Sequence, residues 1–214
     1  MAHIPDGVLS APVLITGAIA SAGLLTLALR RLDYDHLPAA AALSAAFFVS
    51  SLISVPVGPS SVHLLLNGLM GLLLGWTALP ALFVALVLQA VFFGYGGFAV
   101  LGVNTLNMAL PALLCALALR PLLRRERQRP EARPVFRIGA AAGAAGVLLT
   151  ALMLALSLGL SGQAFIPAAQ VLVITYVPLA LVEALITGTV LRFLQRVEPD
   201  LLPGPRALEV EALP

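Results

Sequence analysis

The sequence predicts an all-α integral membrane protein of seven transmembrane helices, with the N-terminus outside and the C-terminus cytoplasmic. Three observations carry that prediction. Hydrophobic residues fill 60% of the 214 positions and charged residues only 10%, against about 25% charged in an ordinary soluble domain. The apolar residues fall into seven runs. All 12 basic residues are arginines, and those flanking the runs fall on one side of a seven-span layout.

A helix needs about 20 apolar residues to cross the hydrocarbon, and fewer when it is surrounded by neighbours. The runs cover 10–29, 38–56, 61–76, 79–101, 105–119, 138–160 and 168–194, the third and fifth being short. Arg30 and Arg31 follow the first, seven arginines lie from Arg120 to Arg137 between the fifth and sixth, and Arg192 and Arg196 close the seventh. Arginine-rich connections stay in the cytoplasm. An odd number of spans with the N-terminus outside puts all of these inside, and a miscount by one would strand the central basic connection outside. The chain then divides into one transmembrane domain, residues 1–197, headed by a metal-binding segment over 1–9, and a proline-containing cytoplasmic tail, 198–214.

The outer connections, around Val57 to Ser60, Gly102 to Asn104 and Leu160 to Gln163, leave no room for an outer domain. The inner connection 120–137 reads either as a solvated segment near anionic lipid or a partner or, equally well, as a topology signal alone. Ala39 to Ala42 with Ala45 and Ala46, and Gly139 with Gly143 and Gly146, put small residues at spacings that let helix backbones approach closely. Cys115 is the single cysteine, inside an apolar run, so the chain builds neither a disulfide nor a thiolate metal site and the residue reads as packing. The formal net charge of +2 comes from arginines in short loops rather than from a basic face, which excludes nucleic acid as a partner.

The polar head, Met1-Ala2-His3-Ile4-Pro5-Asp6-Gly7, reads as a metal hook. A histidine beside a free amino terminus offers the amine, the intervening backbone amide once deprotonated, and the imidazole, at chelating spacing. Nitrogen donors in a plane suit Ni(II) or Cu(II) and suit Mg(II) or Ca(II) poorly. If Met1 is removed, the Ala2 amine, the His3 amide and the His3 ring leave a fourth position open; if it stays, a further amide nitrogen closes the square. A frayed terminus is the plain alternative, but Pro5 stiffens this segment and Asp6-Gly7 turns it immediately before a span.

Polar side chains inside spans are costly and usually face the protein interior or a cavity. Here they are His63, Asn67, Gln89, Asn104, Asn107 and Glu183. The layout puts His63, Asn104 and Asn107 at the outer level with His3, while His36 falls at the opposite face. On a helical reading of the third span, His63 shares a face with Asn67 and Met70. His63 is thus the candidate fourth ligand, and Asn67, Asn104 and Asn107 are candidates to orient the ligands. Glu183 is expected near mid-span of the last helix, far below the histidine level. Trp76 and Tyr34 fit interfacial positions.

Three motifs, His3-Ile4-Pro5-Asp6-Gly7, Ser61-Val62-His63-Leu64-Leu65-Leu66-Asn67-Gly68 and Gly102-Val103-Asn104-Thr105-Leu106-Asn107-Met108-Ala109-Leu110-Pro111, occur in that order. Together they resemble the CbiM/NikM family, the substrate-specificity subunits of energy-coupling factor transporters for cobalt and nickel, over nearly the whole chain. The resemblance implies a seven-helix subunit of a bacterial or archaeal plasma membrane, linked to cobalamin biosynthesis. It implies transported Co(II) or Ni(II) held by the amino terminus, the amide and ring of His3, and His63. It also implies partners: a transmembrane coupling subunit, two ATPase subunits and a small accessory membrane subunit. This chain contains no Gly-x-x-x-x-Gly-Lys-Ser/Thr and no lysine, so it would hydrolyse no ATP itself. Family members commonly begin Met-His, so the match in donor geometry requires removal of Met1.

No enzyme activity, catalytic residue or resident cofactor is expected. An intramembrane metalloenzyme would need an open metal position and a placed acid or base, yet no His-Glu-x-x-His occurs. A structural membrane subunit that binds no metal is the other alternative.

Overall fold

Proline in the first turn starts three helices: Pro12 in α1 (Ala11–Arg30), Pro38 in α2 (Leu37–Ser50) and Pro167 in α7 (Ile166–Val197). The ring lacks an N–H that the first turn would leave unbonded anyway, and its fixed φ suits the helix. The other helices are α3 (Asn67–Leu74), α4 (Ala78–Phe93), α5 (Leu101–Glu126) and α6 (Ala132–Ser161). A small antiparallel pair, β1 (Val55–Val57) and β2 (Ser60–Val62), sets Pro56 opposite Ser61. This computed structural model describes residues 3–52, 55–57, 60–126 and 132–204, with backbone alone for 55–57, 60–62 and 132. The expectations for Met1 and Ala2, for Gly58 and Pro59, for 127–131 and for the tail beyond Gly204 lie outside the described residues.

Among the described residues, five stretches are long and apolar enough to cross a membrane: Ala11–Arg30, Asn67–Phe93, Leu101–Glu126, Arg133–Ser161 and Gln163–Val197. Contacts between them define two ends. At one end the Arg31 guanidinium sits 4.5 Å from the centre of the Trp76 ring, Arg120 donates to the Leu73 carbonyl at 3.4 Å, and His36 pairs with Asp33 at 2.9 Å. At the other end lie His3, His63 and the start of α5. The stretch Asn67–Phe93 reverses between them. Gly75, at φ +60, breaks it beside the Arg120 guanidinium, a conformation that an L side chain rarely adopts. From that bend α3 runs back along α5, with Gly71 on the Ala112 carbonyl and Asn67 reaching Met108, while α4 runs to Gly94 at the histidine end.

The third apolar run therefore differs from its helical reading. Its first residues, 61 and 62, belong to β2, residues 63–66 take no regular structure, and only eight residues of α3 follow. His63 does not share a helical face with Asn67 and Met70, because the helix has not yet begun. The fourth run also ends earlier than its apolarity suggested, since Gly94, Gly96 and Gly97 all take positive φ and leave the helix.

The glycines of α6 act within the chain. A Cβ on Gly139 would stand 2.9 Å from Gly188 Cα, one on Gly143 2.9 Å from Thr187 Oγ1, and one on Gly146 3.0 Å from Gly68 N. This stripe lets α7 and α3 lie directly on α6, the small-residue packing that membrane helices use in place of a hydrophobic driving force. Cys115 is packing, as expected: its thiol is buried against the Ala142 carbonyl at 3.6 Å. On α2, Ser44 donates to Ala81 O of α4 at 2.9 Å, while Ala41, Ala42, Ala45 and Ala46 face outward.

Candidate metal centre

Residues 3–10, before α1, are docked on the bundle, not frayed. Asn104 of α5 accepts from Ile4 N–H and donates to Ile4 C=O, both at 3.1 Å, so its amide pairs with the backbone as a neighbouring strand would. Asp6 N–H donates to Gly96 O at 2.9 Å, and its carboxylate accepts from Val100 N–H at 3.0 Å. Gly97, at φ +127, lies so close to that carboxylate that a Cβ would overlap it. Gly7, at φ +84, completes the expected turn, and Ser10 N–H reaches Ser161 Oγ at 3.2 Å.

His63 arrives at the same place on a different support. Backbone polar groups cannot go unpaired inside a membrane, and the irregular residues 63–66 meet that demand largely with side chains. Leu64 C=O accepts from Ser50 Oγ at 3.2 Å and from His63 Nδ1 at 2.9 Å. Leu65 N–H and Leu66 N–H both donate to Glu183 Oε1 of α7, the second at 2.9 Å. Leu66, at φ +48, then turns the chain into α3, where its carbonyl accepts from Met70 N–H at 2.9 Å. The expectation that Glu183 lies far below the histidine is overturned: it is bonded two and three residues along from it, because 63–66 is irregular backbone that takes its partner from α7.

The two imidazoles stack, with ring centroids 5.5 Å apart and planes 21° from parallel, and Tyr95 stacks on His3 from 5.9 Å. With metal–nitrogen distances of about 2 Å, two imidazoles sharing one ion have centroids roughly 4.5–6.5 Å apart. His3 is 7% exposed and His63 4%, and Nε2 of each has no hydrogen-bond partner. Because His63 Nδ1 faces a carbonyl, its proton resides there and the lone pair is left on Nε2, the tautomer that ligation through Nε2 needs. Burial, then the neighbouring His63, drives the His3 pKa down to about 3, and burial lowers that of His63 against the opposing bond to Leu64. Both rings are neutral at physiological pH, as metal ligands must be.

Among the described residues no third His, Cys, Asp or Glu joins them. Asn107 accepts from Ser157 Oγ at 3.2 Å. Asn67 spends its amide on the bundle: it donates to Thr150 Oγ1 at 2.8 Å and accepts from Gly68 N–H at 2.9 Å. Two cavities, of about 260 and 200 Å³, lie away from the histidines, one among Leu29, Ala40 and Val84, the other among Trp76, Arg120 and Arg124. Sequence reasoning missed Tyr95, Gly96 and Gly97 and took Asp6 only as a turn residue. The Gly94-Tyr95-Gly96-Gly97 cluster at the end of an apolar run was the available signal.

A multi-pass helical bundle that buries two stacked imidazoles at one end is the class of protein that the fold defines. The profile of the family described as CbiM, cobalt uptake substrate-specific transmembrane region, matches residues 3–201, and the chain belongs to that family. A Haemophilus influenzae protein named for metal transport is 37% identical over 200 residues, 94% of this chain and 96% of that one. The fused nickel transport protein NikMN of Rhodobacter capsulatus is 39% identical over 126 residues, 56% of this chain and 36% of the longer fusion. A crystal structure titled as a transition metal transporter superposes with TM-score 0.73 at 29% identity, covering 91% of this chain and 93% of that one. The protein is thus a membrane component of a metal-transport family.

Proposed function

We propose that the chain captures Ni(II) or Co(II) on the outer side of the membrane as the substrate-binding subunit of an ATP-driven energy-coupling factor uptake transporter. The observation that carries this reading is the pair His3 and His63, buried together with unpartnered Nε2 atoms at 5.5 Å centroid spacing. The ion is held by the Ala2 amine after removal of Met1, the His3 amide and ring, and His63. Asn104 fixes the segment that carries His3. Seven passes with the N-terminus outside agree with the arginines gathered at the end opposite the histidines. A transmembrane coupling subunit, two ATPase subunits and a small accessory membrane subunit complete the transporter.

Metal titration of the purified full chain tests the site. His63→Ala should weaken Ni(II) or Co(II) binding at least about 100-fold, as loss of one of four donors implies, while His36→Ala leaves it unchanged. A short N-terminal extension that survives processing should also abolish tight binding. Equal affinities across these variants would refute the assignment.

A further inference from the structure

Glu183 is the one carboxylate in the described part of a span that is wholly buried, 0% exposed, and the capture site does not use it as a ligand. Its Oε1 accepts two successive backbone N–H groups, those of Leu65 and Leu66, from the irregular segment that starts at His63. We propose that Glu183 is a positioning residue for metal binding: by accepting from these two backbone N–H groups it holds 63–66 in its irregular path into α3 and sets the depth and direction of the His63 ring.

Four features of the fold converge on that role. Successive N–H groups of a regular strand point to opposite sides, so one acceptor oxygen can serve both only where the chain turns, and Leu66 at φ +48 is that turn. The carbonyl of the intervening register, Leu64, is already taken by Ser50 and by the His63 ring itself, so the ring orientation is locked to the same short segment. Gly143 has no side chain where α6 meets the Glu183 backbone; a Cβ there would stand 2.7 Å from the Glu183 carbonyl carbon, so α7 is seated as close as helices can come. Finally, without Glu183 the segment would leave two unbonded N–H groups in the bundle interior, a cost it would escape only by moving, and the His63 ring would move with it.

The role is geometric, which fixes what a substitution should do. Glu183→Gln keeps an acceptor oxygen at the same reach. Glu183→Asp keeps the carboxylate but withdraws it by one methylene. Glu183→Leu removes the acceptor and keeps the bulk.

The inference rests on His63 as a ligand, and the experiment separates the two ideas. Full-length parent, the three Glu183 variants and His63→Ala are loaded with Ni(II), and affinity and the ligand-field absorption band are recorded for each. Loss of the His63 nitrogen should move the band to lower energy in His63→Ala. Glu183→Gln should keep the parent band and an affinity within about threefold. Glu183→Asp should show a partial shift toward the His63→Ala spectrum with roughly a tenfold loss, the lower edge of what loss of a ligand's support brings. Glu183→Leu should reproduce the His63→Ala band. If Glu183→Leu does not fold, the order of Gln and Asp decides alone. Asp equal to or better than Gln overturns the proposal, since that order means charge rather than reach matters. Parent-like spectra in every Glu183 variant while His63→Ala is altered overturn it and leave the ligand assignment standing. An unaltered band in His63→Ala removes the ligand assignment and the proposal with it.

Discussion

His3 and His63 meet in one place, but each is delivered by a different device. The segment behind His3 is tethered by Asn104, an amide that both donates and accepts and so pairs with the N–H and the C=O of one residue, Ile4. The segment behind His63 is tethered by Glu183, which only accepts and takes the N–H groups of two successive residues. The first device needs a side chain with both functions and no other residue type of that length supplies them. The second needs only an oxygen at the right reach. Both put a helix side chain against irregular backbone within three residues of the histidine, so each ring is fixed without being part of a helix.

That contrast can be broken most sharply at Asn104. Asn104→Leu removes both bonds to Ile4, and Asn104→Asp retains an acceptor but loses the donor. Loss of a group that orients a ligand typically costs about 10–100-fold in metal affinity, and the leucine variant should fall at the upper end, with aspartate between it and the parent. Amide exchange at Ile4 and Asp6 should accelerate in parallel, while Leu65 and Leu66 keep their protection. Faster exchange at Leu65 would show that the two tethers are not independent.

The helices themselves were legible because apolar runs mark them, and each of the seven runs holds a helix, although among the described residues five stretches are long and apolar enough to cross a membrane. The head was legible because His3, Pro5 and Asp6-Gly7 are polar or conformationally marked against an apolar background. The segment 63–66 was not: His63-Leu64-Leu65-Leu66 reads as the start of a helix, and nothing local says otherwise. Its backbone is instead bonded to a carboxylate 117 residues away, and a long-range bond leaves no periodicity to read. Asn67 looked like a companion of His63 for the same reason, yet its amide is taken by Thr150 and Gly68. The α6 glycines showed that some backbone would come close, and only the fold says that it is the turn of α7 bearing Glu183.

A subtler way to disturb one tether and spare the other is through that glycine contact. In Gly143→Ala the new Cβ would overlap the Glu183 carbonyl oxygen and stand 2.9 Å from Thr187 Oγ1. Overpacking of this kind costs about 1–3 kcal/mol, and here it falls on the His63 support. Gly159→Ala, on the same helix with nothing within 4 Å, is the control and should be neutral or stabilising by up to about 1 kcal/mol, the helix-propensity gain. Thermal unfolding of the two variants in the same lipid gives the comparison; a Gly143→Ala protein as stable as Gly159→Ala would mean that α7 yields without resistance.

Acid should separate the two devices most gently. Both imidazoles have folded pKa values below the ordinary 6.5, His3 at about 3. Between those values the unfolded or undocked segment takes up a proton that the docked ring refuses, so docking is at full strength above pH 6.5 and weakens as pH falls below it. The slope approaches about 1.4 kcal/mol per pH unit for each histidine that leaves its site. His3 sits near the chain's start, on a segment anchored through Ile4, Asp6 and Ser10; His63 is tied into the bundle on the α3 side and held by Glu183. The N-terminal segment should therefore open first. Exchange rates for Ile4 and Asp6, corrected for intrinsic chemistry and compared with Leu65 and Leu66 at pH 7.5, 6.5 and 5.5, read this directly in metal-free protein. The expected result is protection lost at Ile4 and Asp6 by about one order of magnitude at pH 5.5 with little change at Leu65 and Leu66. If both segments opened together, the histidines would be coupled through their stacked rings more strongly than either is to its own tether.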